Sequence, residues 1–372
     1  MIQENLLIVT AHPEFLDAGL AEMRQFDKQL ASVELLAPGI ALCTTPDVPT
    51  LMRLAAEQHP IFVRHIAPVQ AIVPLSDTEH DVGKLALATA TLPTFERLER
   101  GQRFAVQTRI SSVHPPPLSR GEVHPRPVQP RPLSSGQLNK TLAEAIIEET
   151  AAVESIKKPQ IVVSLLCTAS KGYLGISLAR ENLSDWPGGA RHFAHTPEQI
   201  SRAEFKLLEA LEVFGVTLPT KGRVLDLGAA PGGWTRVLLE AGLHVVAVDP
   251  ANLDPRLAKH PRLEHYCGYA ENYLEDAIKT HQSFAVIVND MRMDARDAAR
   301  QLGQASRSLR GDGFVISVLK LPHATREIDP LATLRAALKL LDKHYGIVEA
   351  RQLFHNRQEV TVLTAKPLLS RA

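Results

Sequence analysis

The 372-residue chain has little cysteine, and Cys43, Cys167 and Cys267 are far apart with no Cys-x-x-Cys spacing. That excludes a disulfide framework and points to buried free thiols in a reducing compartment. Neither charge is in surplus, with 41 Lys and Arg against 41 Asp and Glu. A globally basic nucleic-acid binder is thereby excluded, whereas a local basic footprint is not. No apolar run reaches ~18 residues, so no membrane span is expected. The start, Met-Ile-Gln-Glu-Asn, carries no basic segment ahead of Leu6–Val9, so no signal peptide is expected either. The expected location is the cytoplasm, and a chain of this length predicts two or three domains with real cores.

What is present divides at composition shifts. Residues 1–75 read as a small α/β subdomain, with Leu6–Val9 a strand, Glu14–Gln25 a helix and Ile61–Val73 a further strand region. No chemistry is legible there. A second unit spans 76–185, where Arg103–Ile110 alternates like a half-buried strand, Leu138–Val153 has helical spacing and Gln160–Leu166 is an apolar β-rich run. An insertion over 113–135 interrupts it, with seven prolines between Pro115 and Pro132 alongside Arg120, Arg126 and Arg131. Proline at this density removes donors and fixes φ, so an extended loop is expected rather than a helix or ladder. Residues 97–140 hold eight lysines and arginines against two glutamates, a net of +6. This stretch is either a solvated basic linker or an arm that contacts phosphates through Arg120, Arg126 and Arg131. His114 and His124 have no second cluster at ligand spacing, so no metal site is expected. Residues 186–200 read as a linker.

From 201 to 372 the pattern is that of a doubly wound α/β sheet. Strands are expected at Arg223–Gly228, His244–Asp249, Leu263–Cys267, Phe284–Asp290 and Gly313–Lys320, with helices at 234–242, 294–310 and 330–344 alternating between them. Gly346–Phe354 and Glu359–Thr364 close the chain as a hairpin. Ligands on such sheets sit outside the carboxyl ends of the strands, and Asp226, Asp249 and Asp290 all lie there. One such aspartate is often only a helix cap; three around a single glycine loop favour a binding site. That loop, Val224 to Trp234, turns through Gly228, Ala230, Pro231, Gly232 and Gly233 into a helix. Small residues let a ligand approach the backbone, and the helix N-terminus offers unpaired N–H groups. It is neither the dinucleotide Gly-x-Gly-x-x-Gly nor the phosphate-binding Gly-x-x-x-x-Gly-Lys-Ser/Thr. Asp249, at the end of the second strand, can accept both hydroxyls of a ribose, which fits any adenosine-containing cofactor, NAD included.

The string Asp-x-Gly-x-x-Pro-Gly-Gly-Trp resembles the S-adenosylmethionine loop of FtsJ-like RNA ribose methyltransferases. Ser201-Arg-Ala-Glu-Phe-Lys-Leu, Asn289-Asp290-Met291, Val318-Leu-Lys320-Leu-Pro322 and His355-Asn-Arg-Gln-Glu359 resemble that family's Lys–Asp–Lys–Glu segments in order. The resemblance implies a Rossmann-like class I methyltransferase domain with a mostly parallel seven-stranded sheet. Asp226, Gly228, Ala230, Pro231, Gly232, Gly233, Trp234, Asp249 and Asp290 would then bind S-adenosylmethionine, and Lys206, Asp290, Lys320 and Glu359 would be catalytic. The strand–helix–strand unit ending in Lys171-Gly-Tyr-Leu-Gly-Ile-Ser177 resembles the tail of a THUMP domain, an RNA-binding module. With Asp185-Trp-Pro-Gly-Gly-Ala190 and Arg351-Gln-Leu-Phe354, the chain resembles the type M family of large-subunit rRNA cytidine 2′-O-methyltransferases, a THUMP-containing α/β region before the catalytic domain. The implied partner is 23S rRNA. The family's cofactor-contacting serine is Ala203 here, and its adenosine-reading acid has no clear equivalent in Cys267-Gly-Tyr-Ala-Glu271, where Tyr269 holds the ungapped position.

The chemistry explains the residue types. A ribose 2′-hydroxyl is a weak acid, so attack on a sulfonium methyl gains from loss of its proton. A lysine serves as base only if burial or a neighbouring cation draws its pKa toward neutrality, and Lys320, with Lys206 nearby, is the candidate. Asp290 would orient it, while Lys206 and Glu359 would position the hydroxyl. An NAD-linked oxidoreductase would need Asp249 but not the lysines. A non-catalytic RNA-binding assembly factor would keep the THUMP-like unit and tolerate loss of Lys320.

Overall fold

The computed structural model describes residues 4–76, 78, 80–111 and 134–366; Arg120, Arg126 and Arg131, with the prolines around them, lie outside these. The chain divides into two compact units, Met1–Ala190 and Arg191–Ala372.

The first unit opens with β1 (Leu6–Ala11), α1 (Leu16–Phe26), β2 (Ala31–Ala37), β3 (Ile40–Thr44), α2 (Val48–Gln58) and β4 (Val63–Val69). They build a four-stranded sheet ordered β2-β3-β1-β4, with β1 antiparallel to both its neighbours. The sequence reading missed β2, β3 and α2. The hairpin turns at Gly39 (φ +78°), where an added Cβ would strike the Ala11 carbonyl, and Asp47 caps α2 through the Thr50 N–H. Ile61–Val73 is not one strand region: after β4 the chain crosses into a second sheet as β5 (Ala71–Pro74). That sheet continues through α3 (His80–Ala90), β6 (Arg103–Ile110), α4 (Ser135–Thr150), β7 (Val153–Glu154), β8 (Ile161–Cys167) and β9 (Lys171–Leu178), in the order β5-β9-β8-β6-β7. β8 lies parallel to β6 and antiparallel to β9. Ser134 and Gln137 close a capping box that fixes where α4 begins. Cys43 and Cys167 are buried as expected; Cys267 is exposed.

The second unit runs α5 (Ala203–Val213), β10 (Arg223–Leu227), α6 (Gly233–Glu240), β11 (His244–Val248), β12 (Leu263–Tyr266), α7 (Ala270–Lys279), β13 (Phe284–Asn289), α8 (Ala295–Ala305), β14 (Leu309–Lys320), α9 (Pro330–Leu341), β15 (Ile347–Arg351) and β16 (Glu359–Ala365). Seven strands order as β12-β11-β10-β13-β14-β16-β15, parallel through β14, with the last two antiparallel. This is the expected Rossmann-like, mostly parallel sheet. The central strand β13, Phe-Ala-Val-Ile-Val-Asn, is buried along its whole length because helices cover both faces. α7 was missed: Tyr273 and Leu274 are its only large buried residues, and Ala270 and Ala277 complete a faint helical stripe. Among the described residues no helix is long and apolar enough to cross a membrane.

Candidate active site

Parallel strands deliver their last residues to one edge of the sheet. Asp290 follows β13 and Lys320 ends β14. β16 opens on Glu359, which the antiparallel register sets directly opposite Lys320. Lys206 projects from near the start of α5. The structure brings all four together. Lys320 Nζ donates to Asp290 Oδ1 and, at 2.6 Å, to Glu359 Oε2. Lys206 Nζ stands 2.5 Å from Glu359 Oε1 and 3.5 Å from Asp290 Oδ2. Ammonium and carboxylate groups thus alternate around a closed ring. The four side chains are 9–24% exposed, so their attraction is screened less than at an open surface. Below the ring, Asn289 Nδ2 donates 2.9 Å to Ser317 Oγ and ties the end of β13 to β14.

The ring changes one expectation. Burial alone draws the Lys320 ammonium down, but attraction and hydrogen bonds from Asp290 and Glu359 outweigh it, and its pKa stands above the ordinary lysine value. No fall toward neutrality occurs, because two carboxylates lie closer in effect than the one neighbouring cation. Glu359 is the complement: burial pushes it up, and Lys320 and Lys206 hold it below the usual carboxylate value.

Beside the ring lies the glycine loop. Gly228 (φ +75°) and Gly232 (φ +113°) occupy the left-handed region. A Cβ on Gly228 would fall 2.6 Å from Met291 Cγ and 3.0 Å from the Met291 backbone, so this loop is pressed against the residue after Asp290. Asp249 is half-buried and ties the loop to β11, its Oδ2 accepting from the Ala230 N–H at 3.0 Å and its Oδ1 from the Ala251 N–H at 2.8 Å. Trp234 is core: its indole N–H donates 2.6 Å to the Ala203 carbonyl and anchors α5 beneath the loop. The Ala230–Pro231 bond is cis.

Asp226 is 1% exposed and accepts the Thr235 hydroxyl at 2.6 Å, so it holds the first turn of α6. Burial, with Asp290 and Asp249 adding like charge, pushes its carboxyl up to about 7. Because the folded value lies above the unfolded one, its stabilising contribution is complete below pH ~4 and is lost as pH rises through about 7. Asp226→Asn keeps the acceptor for Thr235 and removes the charge. It should gain on the order of 4 kcal/mol over wild type at pH 8 but only about 1–2 kcal/mol at pH 5, since the loss runs at about 1.4 kcal/mol per pH unit between the two pKa values. Urea unfolding at both values checks this, and a pH-independent difference would refute it.

Ser201 was not singled out in the sequence for its own hydroxyl. Its Oγ is buried, has no hydrogen-bond partner among the described residues, and lies where a Cβ on Gly233 would be. An orphaned hydroxyl packed against the start of α6 fits a polar ligand in the loop. Glu271 accepts from Gln301 Nε2 at 2.6 Å and links α7 to α8, while Tyr269 is 66% exposed at the head of α7.

Residues 199–321 match the model of the FtsJ-like methyltransferase family. They form an FtsJ-like methyltransferase domain. The match takes in Lys206, the glycine loop, Asp290 and Lys320; Glu359 lies beyond it. Ribosomal RNA large subunit methyltransferase M of Halorhodospira halophila is 35% identical over 182 residues, 48% of this chain and 50% of that protein. The protein of the same name from Sodalis glossinidius is 29% identical over 220 residues, 56% and 58% of the two chains. The chain spans about half the length of the curated relatives it matches. Among solved structures, TrmN from Thermus thermophilus aligns with 97% of this chain and 99% of its own at TM-score 0.40 and 17% identity.

Proposed function

We propose that the chain methylates a ribose 2′-hydroxyl of large-subunit ribosomal RNA, at a cytidine of 23S rRNA, using S-adenosylmethionine. The observation that carries this is the ring of Lys206, Asp290, Lys320 and Glu359 packed against the glycine loop of an FtsJ-like domain. When bound, the cofactor supplies an electrophilic methyl on a sulfonium whose leaving group is neutral. The loop glycines, the α6 N–H groups, Ser201 and Asp249 would hold it. Lys206 and Glu359 position the acceptor hydroxyl, Asp290 orients Lys320, and the small neutral fraction of Lys320 that its raised pKa leaves takes the hydroxyl proton. The protein's main contribution is alignment. The first unit, with its THUMP-like reading of 76–185, would grip RNA, and the work would take place in the cytoplasm.

An RNA acceptor is supported by which arginines stay unpaired. Arg202, Arg292, Arg326 and Arg357 are exposed and, among the described residues, have no carboxylate partner. Each lies within six residues of a member of the ring. Elsewhere in the same unit Arg191, Arg223, Arg236, Arg256, Arg296, Arg300, Arg310 and Arg335 each hold an Asp or Glu, while Arg307, away from the ring, is exposed without one among the described residues. Uncommitted guanidinium groups around a site are suited to phosphates. Replacing the four with glutamine should flatten the slope of log Kd for RNA against log salt by roughly 3. An unchanged slope would show that they touch no phosphate. The same titration on an Arg120, Arg126 and Arg131 triple variant tests the proline-rich segment. The activity itself is tested by incubating the chain with S-adenosylmethionine and unmodified 23S rRNA and mapping 2′-O-methyl sites. Absence of any new site, with the cofactor bound, would refute it.

A further inference from the structure

Three of the chain's eleven phenylalanines, Phe193, Phe205 and Phe354, meet beside the ring of charges, together with His355. Phe205 is buried and immediately precedes Lys206. Phe193 stacks on it, with ring centroids 5.6 Å apart and an interplanar angle of 21°. His355 leans on both, 5.6 Å from Phe193 and 5.3 Å from Phe205. Phe193 and His355 remain half-buried, so one face of Phe193 is taken by Phe205 and part of the ring stays open.

Glu209 fixes this assembly. One turn beyond Lys206 on α5, and 2% exposed, it accepts the Phe354 N–H at 2.8 Å, the His355 N–H at 3.0 Å and, at 2.7 Å, pairs with His355 Nδ1. A buried carboxylate with three partners is a rigid clamp. It locks the segment leading to Glu359 onto the helix that carries Lys206, so the aromatic ledge and the charged ring are held by the same two elements. Those elements also carry two of the uncommitted arginines, Arg202 and Arg357.

A ring held at fixed height beside a reactive centre, flanked by free guanidinium groups, has the chemistry of a nucleobase subsite. Proteins that hold an unstacked RNA nucleotide commonly replace its lost stacking with an aromatic side chain. We propose that Phe193, carried on Phe205 and His355, is the platform on which the base of the acceptor nucleotide stacks while its ribose faces Lys206 and Lys320. This rests on the reading of the site as a ribose methyltransferase. Glu209 is a positioning residue for the platform. Stacking on one π-face is tolerant of base identity, so the platform secures the extruded nucleotide and does not choose it.

The test compares Phe193→Leu, which keeps an apolar side chain without a π-face, with Phe193→Tyr, which keeps the face. Both are read with full-length protein and a 23S rRNA transcript. In Phe193→Leu, kcat/KM for RNA should fall about tenfold with the Kd for S-adenosylmethionine unchanged, and Phe193→Tyr should stay near wild type. Leucine and wild type performing alike, or leucine and tyrosine failing alike, would overturn the platform. Wild-type protein that binds the cofactor yet methylates no RNA would instead overturn the activity on which it rests, a result read from the wild-type sample alone.

Discussion

Replacing Lys320 with alanine should lower kcat for methyl transfer about a thousandfold or more while leaving affinity for S-adenosylmethionine nearly unchanged. The side chain ends β14 with its ammonium on Asp290 and Glu359, and the cofactor loop, Ser201 and Asp249 are separate groups. Removing it takes away the proton acceptor, not the cradle. Because both carboxylates hold Lys320 above its ordinary pKa, only a small neutral fraction exists at pH 7, and that fraction grows tenfold per pH unit. The wild-type log kcat should therefore climb with a slope near one between pH 6.5 and 9, provided chemistry limits the rate. Lys320→Arg separates two roles. Arginine keeps the charge and both carboxylate partners but does not release a proton, so it should be as inactive as alanine. Substantial activity in Lys320→Arg, or a flat pH profile in wild type, would reduce Lys320 to an electrostatic holder.

The catalytic-half architecture was legible because its signals are local and repeated. Each of these buried parallel strands is a short apolar run with a polar residue at its end or one position from it (Asp226, Asp249, Asn289), and the strand ends name the edge where ligands bind. Ring membership was legible only as sequence resemblance, since Lys206 and Glu359 are 153 positions apart and nothing local pairs them. The strand register did what spacing could not, placing Glu359 across from Lys320. Other features left weaker traces. α7 buries only four residues, two of them alanine, β2 is exposed along most of its length, and the crossing from β4 to β5 happens at Gln70 inside a mostly apolar stretch. Glu209 resembles any helix-surface glutamate in sequence; only folding brings it to the Phe354 and His355 backbone. The direction of the Lys320 shift was beyond reach for the same reason. It depends on whether carboxylates or lysines stand nearer, and that is a property of the assembled ring.

Gly228→Ala should abolish measurable cofactor binding, weakening it a hundredfold or more, with a loss of stability of about 2–3 kcal/mol. Two effects combine at this position. Its φ of +75° is one that alanine adopts only with strain, and the added Cβ would sit 3.0 Å from the Met291 N and Cα atoms. Backbone cannot rotate away as a flexible side-chain tip can. Either the loop lifts or the segment after Asp290 moves, and in both cases the cradle and the charged ring lose their alignment. Gly242→Ala isolates the first effect. Gly242 also has a left-handed φ, +90°, but its added Cβ would meet nothing nearer than 3.7 Å. That variant should lose about 1–2 kcal/mol of stability from strain alone and bind S-adenosylmethionine as wild type does. Calorimetry with the cofactor and urea unfolding of both variants measure the two quantities separately. Normal cofactor affinity in Gly228→Ala would mean that the loop and the Asp290 segment need not touch for the site to work. Weakened affinity in Gly242→Ala would mean that strain anywhere in this unit disturbs the site, and the contact at Gly228 would lose its special role.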